Sequence, residues 1–490
     1  GVACAYFDCH GRQLAQSQLG SPRLWAATRA VVQSVVNVQS TRDAIEPKAF
    51  VDGQVMLTSH PWASPCMPAD LVMLLPVYHD GHHAGFFCSC CHGMAALERR
   101  EPVMCKIGDL AFAGFSGAAL GDVHALEAVS KAASGRATDA LRDFGAVTFS
   151  AFSDFVMEAS KAAVLRNVAA CLGACANGSA TTAHSLHNSL QIDSRRLALT
   201  CQIHFAKDQV IVGLGASSDA HFPDDGVAMP LAYAEAYAIY ALMALFGKGI
   251  PFTAGAISAF DVRAEQGSVF NANSPSGEVG WRCIAGTIPN LVLGCFAGTE
   301  MDSQVPAESA AGICHLELSL KDSQDSGMQT MVEHVEVGGM GAFPDCPGLS
   351  AQSFSTPLRS TSVEITEAAA GVVIKKRKLR RDSGGRGLHN GGEGVLLELQ
   401  PRDGFEMYLM PGVVRATHWH HRARGKSGGG TGGLATIAVS SSSGVQDLSP
   451  DFVHASAAAQ PIRVPCAATL LVETAGGGGF GLRPDDVPSR

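Results

Sequence analysis

The chain has 490 residues, of which 46% are apolar and 17% are charged, and it carries a formal net charge of −9. These proportions exclude a disordered chain and indicate a globular protein with a large core, divided into roughly two or three domains. The acidic balance argues against nucleic acid or an anionic membrane as a general partner.

The apolar runs and the cysteines indicate the cellular compartment that we expect. No apolar run reaches the roughly 18 residues of a membrane span, and the most apolar segment, Met229 to Gly247, contains Glu235 and is predicted to be a buried helix. The fifteen cysteines lack the spacing of a disulfide framework. We therefore expect a soluble protein with reduced thiols, in the cytoplasm or an organellar matrix. We expect no signal peptide, and further chain before Gly1, because the sequence begins inside a predicted strand.

Short strands are predicted in residues 1–115, followed by helices. The runs "VACAYFD", "FVDGQVMLTS", "DLVMLLPVYHDG" and "HAGFFCSC" are separated by Gly and Pro, as in strands joined by turns. Between residues 121 and 174, apolar residues recur at helical spacing in two segments with a Gly break between them. The segment from Leu197 to Ser217 is predicted to be a strand pair.

The remaining chain favours strands. A mixed segment follows the predicted helix at 229–247, and beyond about residue 330 strands alternate with glycine-rich loops. We expect an α+β fold with a mixed N-terminal region, a helical segment, and a β-rich C-terminal region containing extended or polyproline-like glycine segments. The expected division is 1–120 (strand-rich), 121–330 (helical and mixed) and 331–490 (β-rich).

No nucleotide-binding motif in the sequence has the required spacing. The sequence "GKS" at Gly425 to Ser427 suggests a phosphate-binding loop, but the glycine required five residues before Gly425 is His420. The stretch "GKSGGGTGG" is therefore interpreted as a flexible loop. Because no phosphate-binding loop has the correct spacing, we expect no cofactor on this chain.

Histidines and cysteines form three dense clusters, "HDGHH", "CSCCH" and "THWHH". Their donors suit Zn²⁺, but the spacing matches no zinc module, so both a structural role and a metal site stay open. In a strand, Cys88 and Cys90 would share one face and Cys91 would point to the other.

A basic run, "KKRKLRR", extends from Lys375 to Arg381. It could contact RNA or an acidic partner. The alternative is a solvated strand or a strip of salt bridges between subunits.

Two glycine motifs give the chain its most specific signal. They are "RRDSGGRGLHNGGEG" (Arg380 to Gly394) and "TAGGGGFG" (Thr474 to Gly481). Only glycine lets backbones approach so closely or adopt positive φ, so these segments are expected to pack side by side. The glycines assigned this structural role are Gly384, Gly385, Gly387, Gly391, Gly392, Gly394, Gly476, Gly477, Gly478 and Gly479.

These motifs resemble the "R-x-D-S-G-G-x-G-x-x-R-G-G-x-G" and "T-P-G-G-G-G-Y-G" signatures of the hydantoinase B family. That family includes the second half of ATP-dependent 5-oxoprolinase and a large subunit of acetone and acetophenone carboxylases. Three further stretches are similar to family motifs: "CAYFDCHGRQLAQ", "DLVMLLPVYHDGHHAGF" and "GSVFNANSPS". The resemblance thus extends over nearly the whole chain, although the family's first N-terminal segment is missing.

The resemblance implies a metal or substrate site that is largely eroded here. The family builds it from "N-D-P-Y-x-G-G-x-H-x-x-D" and "H-H-x-D-x-G-G", and only Asp70 and His92 match the expected ligands. The other ligand positions carry His60, Met67, Gly93 and Ala95. Two ligands are too few for a tight metal site, although His60 and Cys66 are weak candidates to rebuild one with Asp70 and His92.

Two functions follow from the resemblance. The eroded ligand set favours a non-catalytic scaffold or assembly subunit in a hetero-oligomer with other protein subunits. The alternative is an active subunit of an ATP-dependent cyclic-amide hydrolase or ketone carboxylase, in which ATP binds to an actin-like partner. In that case Asp70 and His92 would be the catalytic remnant. Under either function, no membrane span is expected and nucleic acid is not an expected partner.

Overall fold

The computed structural model describes residues 2–17, 20–41, 52–58, 70–92, 103–106, 117–175, 185–191, 198–217, 228–272, 279–310, 313–322, 329–352, 354, 361–369, 371–410, 421–449 and 461–483. The described residues form helices and mostly antiparallel sheets, which confirms the predicted α+β class. The chain divides into two compact units. The predicted three-part division along the sequence stays a prediction.

The first unit comprises Gly1–His184, His204–Val212 and Pro230–Arg263. Its main sheet has six strands in the order β2-β1-β5-β4-β3-β6. These strands are Val2–Asp8 (β1), Gln13–Gln16 (β2), Gln54–Thr58 (β3), Asp70–His79 (β4), His82–His92 (β5) and Val103–Lys106 (β6).

Helices bury both faces of this sheet. Helix α1 (Pro22–Thr41) packs Leu24 and Val31 into a core with Phe7 and Leu74, whereas α2 (Gly117–Phe144) packs Val123 and Leu126 against the opposite face. A sheet covered on both faces needs apolar side chains at every position. This explains why β4 is a continuous apolar run instead of an alternating one.

Helix α1 was not predicted, because the sequence before residue 115 was interpreted as strands and turns only. Its start carries a signal for a helix: Pro22 is the first helical residue, and the amide of Leu24 donates to Ser21 Oγ at 3.4 Å. The valines that follow favour strands by propensity, but burial against the sheet stabilises the helix.

The two predicted central helices are confirmed. Helix α3 (Ala146–Cys175) follows α2 after Gly145. This glycine adopts a left-handed φ of +77°, which ends α2. The predicted buried helix is α4 (Leu231–Phe246), and its Glu235 pairs with Arg29 of α1 at 2.9 Å. A short helix, α5, spans Ala254–Ile257.

A second sheet has the order β10-β9-β8-β7. Its strands are Ser185–Gln191 (β7), Ala198–Phe205 (β8), Val210–Ser217 (β9) and Phe260–Ala264 (β10). The pair β8 and β9 confirms the strand pair that was predicted between Leu197 and Ser217.

The second unit comprises Ser185–Ile203, Gly213–Met229 and Ala264–Arg490. It contains helix α6 (Val279–Gly294), helix α7 (Val363–Ala369) and two antiparallel sheets, ordered β12-β11-β15-β18 and β13-β14-β19-β16-β17. Their strands are Ile313–Asp322 (β11), Gln329–Val337 (β12), Val372–Arg380 (β13), Gly394–Pro401 (β14), Phe405–Leu409 (β15), Thr436–Ser441 (β16), Gly444–Asp447 (β17), Ile462–Val464 (β18) and Thr469–Glu473 (β19).

The two sheets share one hydrophobic core. Leu316 and Leu318 of β11 belong to the same buried cluster as Leu397 of β14 and Leu470 of β19. This sheet-on-sheet arrangement accounts for the predicted excess of strands beyond residue 330.

Candidate functional site

Asp70 and His92 lie directly opposite each other. Asp70 is the first residue of β4 and His92 the last of β5, and they are partners in the antiparallel register. Opposite residues of such a pair have Cα atoms about 4.5–5.5 Å apart. The hairpin therefore brings together the two residues that match the family's ligand motif, at the end away from its turn.

The other residues of this predicted site are outside the described part of the chain. His60, Cys66 and Met67 fall in residues 59–69, and Gly93 and Ala95 fall in residues 93–102. A donor set built from His60 or Cys66 therefore stays a prediction.

The histidine and cysteine clusters on the same hairpin are partly buried. Cys88 and Cys90 join the core under α1, whereas Cys91 joins the core under α2, which confirms the predicted alternation. His83 packs edge-on against Phe86, and burial lowers its pKa, partly opposed by a hydrogen bond with the Gly85 backbone. Within the described residues, no group of three or more His, Cys, Asp or Glu side chains is placed to hold a metal ion.

The glycine motifs form a backbone-packed core in the second unit. The amides of Gly476, Gly477, Gly478 and Gly479 donate to the carbonyls of Gly433, Gly392, Glu308 and Gly430, at 3.2, 3.0, 2.8 and 2.9 Å. These four glycines thus bond to three different stretches of chain, around Glu308, Gly392 and Gly430 to Gly433. The terminal motif is the centre of the arrangement.

Sterics require glycine at these positions. An added Cβ at each of the ten predicted structural glycines would lie 1.9–2.6 Å from a backbone atom of another segment. None of the ten has φ in the left-handed region, so the requirement comes from close approach and not from backbone torsion. These ten are Gly384, Gly385, Gly387, Gly391, Gly392, Gly394, Gly476, Gly477, Gly478 and Gly479.

The interpretation of "GKSGGGTGG" as a flexible loop is wrong. A Cβ at Gly429 would lie 2.2 Å from the Gly479 carbonyl oxygen, and the Lys426 amide donates to the same carbonyl at 2.9 Å. The stretch is therefore packed into the glycine core. Its glycines allow contact between backbones and do not provide mobility.

A buried carboxylate that the sequence did not reveal is anchored beside this core. Glu308 Oε2 accepts hydrogen bonds from His421 Nε2 at 2.9 Å and from the Arg424 amide at 2.8 Å, and the Arg424 guanidinium contacts the other oxygen. Burial raises the pKa of Glu308, but the hydrogen bonds from His421 and Arg424 outweigh it, so the net pKa is lowered. Of the cluster "THWHH", only His421 is among the described residues.

A small cleft of about 100 Å³ adjoins Glu308 and is lined by α6 and by Arg424 and Lys426. Burial lowers the pKa of Lys426, partly opposed by Asp302 at 3.3 Å. The charges of the cleft are thus neutralised in pairs. These charged groups join distant segments of the chain. The Arg424 amide and Glu308 are more than one hundred residues apart in sequence, so no local sequence pattern indicates their contact.

Comparisons with known proteins identify a family and several relatives of this chain. A family model described as "Hydantoinase B/oxoprolinase" matches residues 115–483, more than half of the chain. The chain is 28% identical over 258 residues to 5-oxoprolinase 1 of Arabidopsis thaliana, covering 51% of this chain and 18% of that protein. It is 27% identical over 247 residues to 5-oxoprolinase of Dictyostelium discoideum, covering 50% and 18%. The match therefore spans less than a fifth of these relatives' length.

Two solved structures share the fold. The ATP-dependent caprolactamase from Pseudomonas jessenii superimposes with a TM-score of 0.77 at 16% identity, covering 98% of this chain and 85% of that chain. The nucleotide-free acetone carboxylase gives a TM-score of 0.72 at 12% identity, covering 99% and 72%. In the part of the chain that is described, no helix is long and apolar enough to cross a membrane. The family match and the shared architecture lead to one conclusion: this chain belongs to the hydantoinase B/oxoprolinase family.

Proposed function

We propose that this chain is a non-catalytic subunit that supports the assembly of a larger hetero-oligomeric complex. One observation carries the proposal. The hairpin pairs Asp70 with His92, yet three of the four positions that the family motif assigns to further ligands carry Met67, Gly93 and Ala95, and only the fourth, His60, has an imidazole.

The chemistry of these residues supports the proposal. Gly93 and Ala95 have no donor atom, and the thioether of Met67 is a poor ligand for hard or borderline cations. Catalytic metal sites in proteins generally need about three protein ligands. The hairpin itself supplies two, Asp70 and His92.

The glycine core gives the proposed subunit its rigidity. Several segments distant in sequence are held by backbone hydrogen bonds around Gly476 to Gly479, so the scaffold does not depend on the eroded site. We further propose that any nucleotide binds to a partner subunit. The free thiols among the described cysteines are compatible with a reducing cytoplasmic or organellar compartment.

The competing function is an active subunit of an ATP-dependent cyclic-amide hydrolase or ketone carboxylase. The specific observation in its favour is the register that keeps Asp70 beside His92. The two structural neighbours are an ATP-dependent caprolactamase and an acetone carboxylase that catalyses ATP-dependent acetone carboxylation.

Purification of the chain with its native partners separates the two functions. Copurifying chains would be identified by mass spectrometry, bound metals by elemental analysis, and ATP hydrolysis measured with 5-oxoproline, hydantoin or caprolactam. A scaffold copurifies in stoichiometric amounts with other subunits and adds no lactam-dependent ATP hydrolysis to them. Lactam-dependent turnover that requires this chain would overturn the proposal.

A further inference from the structure

We propose that the outer edge of β13 binds an acidic, extended segment of a partner protein, which adds to the sheet as a further strand. This inference rests on the proposed assembly role, because it specifies the chemistry of a partner for that role. Its evidence comes from the position and the charges of β13.

β13 is at one end of the described strand order β13-β14-β19-β16-β17. An edge strand presents backbone N–H and C=O groups that an incoming strand can bind. Six of the seven residues from Lys375 to Arg381 are cationic, so this edge is basic in a chain whose net charge is −9.

Half of these cations are neutralised by the chain itself. Lys376 pairs with Glu398 at 2.6 Å. Arg377 reaches the buried Glu336 at 2.8 Å, and Arg380 pairs with Glu473 at 2.9 Å. The Arg377 pair joins the two sheets, whereas the Lys376 and Arg380 pairs lie within the sheet of β13, and all three cations are already paired.

The other three cations are Lys375, Lys378 and Arg381, and all three are exposed. None of them has an ion-pair partner among the residues that the structure describes. The neighbouring Asp382 is 3.9 Å from Arg386 and is not paired with Arg381. An acidic partner would therefore form new ion pairs here without breaking existing ones.

The strand already binds a carboxylate at its backbone. The amide of Ile374 donates to Glu367 Oε1 of α7 at 2.7 Å, so the chain itself occupies this position and the partner strand is proposed along Lys375 to Arg381. Leu379, with 44% of its surface exposed, adds an apolar contact between the basic side chains.

Nucleic acid is a poorer match for this surface. Single-stranded nucleic acid binds where aromatic side chains stack on bases along a basic groove, and Lys375 to Arg381 contains no aromatic residue. A peptide can place its carboxylates at the three cations and its backbone along the edge.

A direct test uses the full chain and a fluorescent peptide of alternating Glu and Thr. We expect saturable binding that weakens with salt, and slower amide hydrogen exchange confined to residues 375–381. The triple variant Lys375→Gln/Lys378→Gln/Arg381→Gln should bind roughly ten-fold more weakly, as three exposed ion pairs predict.

Arg136→Gln/Lys207→Gln/Lys248→Gln is the matched control, since it removes the same charge from exposed positions in the first unit. It should bind like the wild type. The proposal is overturned if the peptide does not bind, if it binds without protecting residues 375–381, or if only a single-stranded RNA probe binds. Lactam turnover by the native complex would refute the non-catalytic role and leave these peptide results unchanged.

Discussion

Gly477 shows what the glycine motifs do at the level of one residue. A Cβ there would lie 2.0 Å from the Met340 carbonyl oxygen and 2.3 Å from the carbonyl carbon. Because both are backbone atoms, no side chain can move aside, and a segment must shift. We predict that Gly477→Ala lowers the free energy of unfolding by about 3 kcal/mol or more, measured by urea denaturation.

Gly135 provides the matched control for that substitution. It lies in helix α2 with nothing within 4 Å of an added Cβ. Alanine is favoured over glycine inside a helix by roughly 0.5–1 kcal/mol, so Gly135→Ala should raise stability slightly. Equal losses from both substitutions would show that close backbone packing is not the reason for the glycines.

Glu308 predicts a pH dependence of stability. Its pKa in the folded chain is lowered, so its contribution is present above the ordinary glutamate pKa and is lost as the pH falls through the folded value. Glu308→Gln should therefore cost about 2 kcal/mol at neutral pH and progressively less in acid. Urea unfolding of both proteins across this pH range measures the difference.

The exposed Glu364 serves as the control, because its substitution by Gln should leave the pH profile unchanged. A cost for Glu308→Gln that stays constant from neutral pH into acid would contradict the assigned role of the carboxylate.

At the scale of elements, one buried ionic group joins the two sheets of the second unit. Glu336 of β12 contacts Arg377 of β13 at 2.8 Å and His334 at 3.0 Å, and its side chain is fully buried. Arg377→Ala leaves this carboxylate with His334 alone, and we predict a loss of about 3–5 kcal/mol. Lys376→Ala, one residue away, breaks only the surface pair with Glu398 and should cost less than about 1 kcal/mol.

Thermal and urea unfolding of the two variants give this comparison. Similar losses for Arg377→Ala and Lys376→Ala would mean that the buried contact does not hold the sheets together.

Elements with a clear period were predictable, and those decided by tertiary contacts were not. The α2–α3 pair and the β8–β9 pair follow from apolar spacing. Helix α1 was missed because its valines favour strands, and only its burial against the sheet favours the helix. The stretch "GKSGGGTGG" was misinterpreted because glycine signals both loops and close packing, and only its contacts with the Gly479 region distinguish them.

The site was predictable only in part, for a related reason. Asp70 and His92 were singled out by the motif, and the hairpin register places them side by side. The Glu308 network joins residues more than one hundred positions apart, so the sequence offered no pattern from which to infer it.

For the whole molecule, membership of the family does not establish that the chain is catalytically competent. The family match covers residues 115–483, whereas Asp70 and His92 precede it. The architecture shared with two solved structures therefore establishes the fold and not the function.

The double variant Asp70→Ala/His92→Ala in the native complex distinguishes a non-catalytic subunit from an active one. Assembly would be measured by sizing and copurification, and turnover by ATP hydrolysis in the presence of lactams. We expect wild type and variant to assemble to the same extent, and neither to contribute lactam-dependent ATP hydrolysis. Turnover in the wild-type complex that disappears in an equally assembled variant would contradict it.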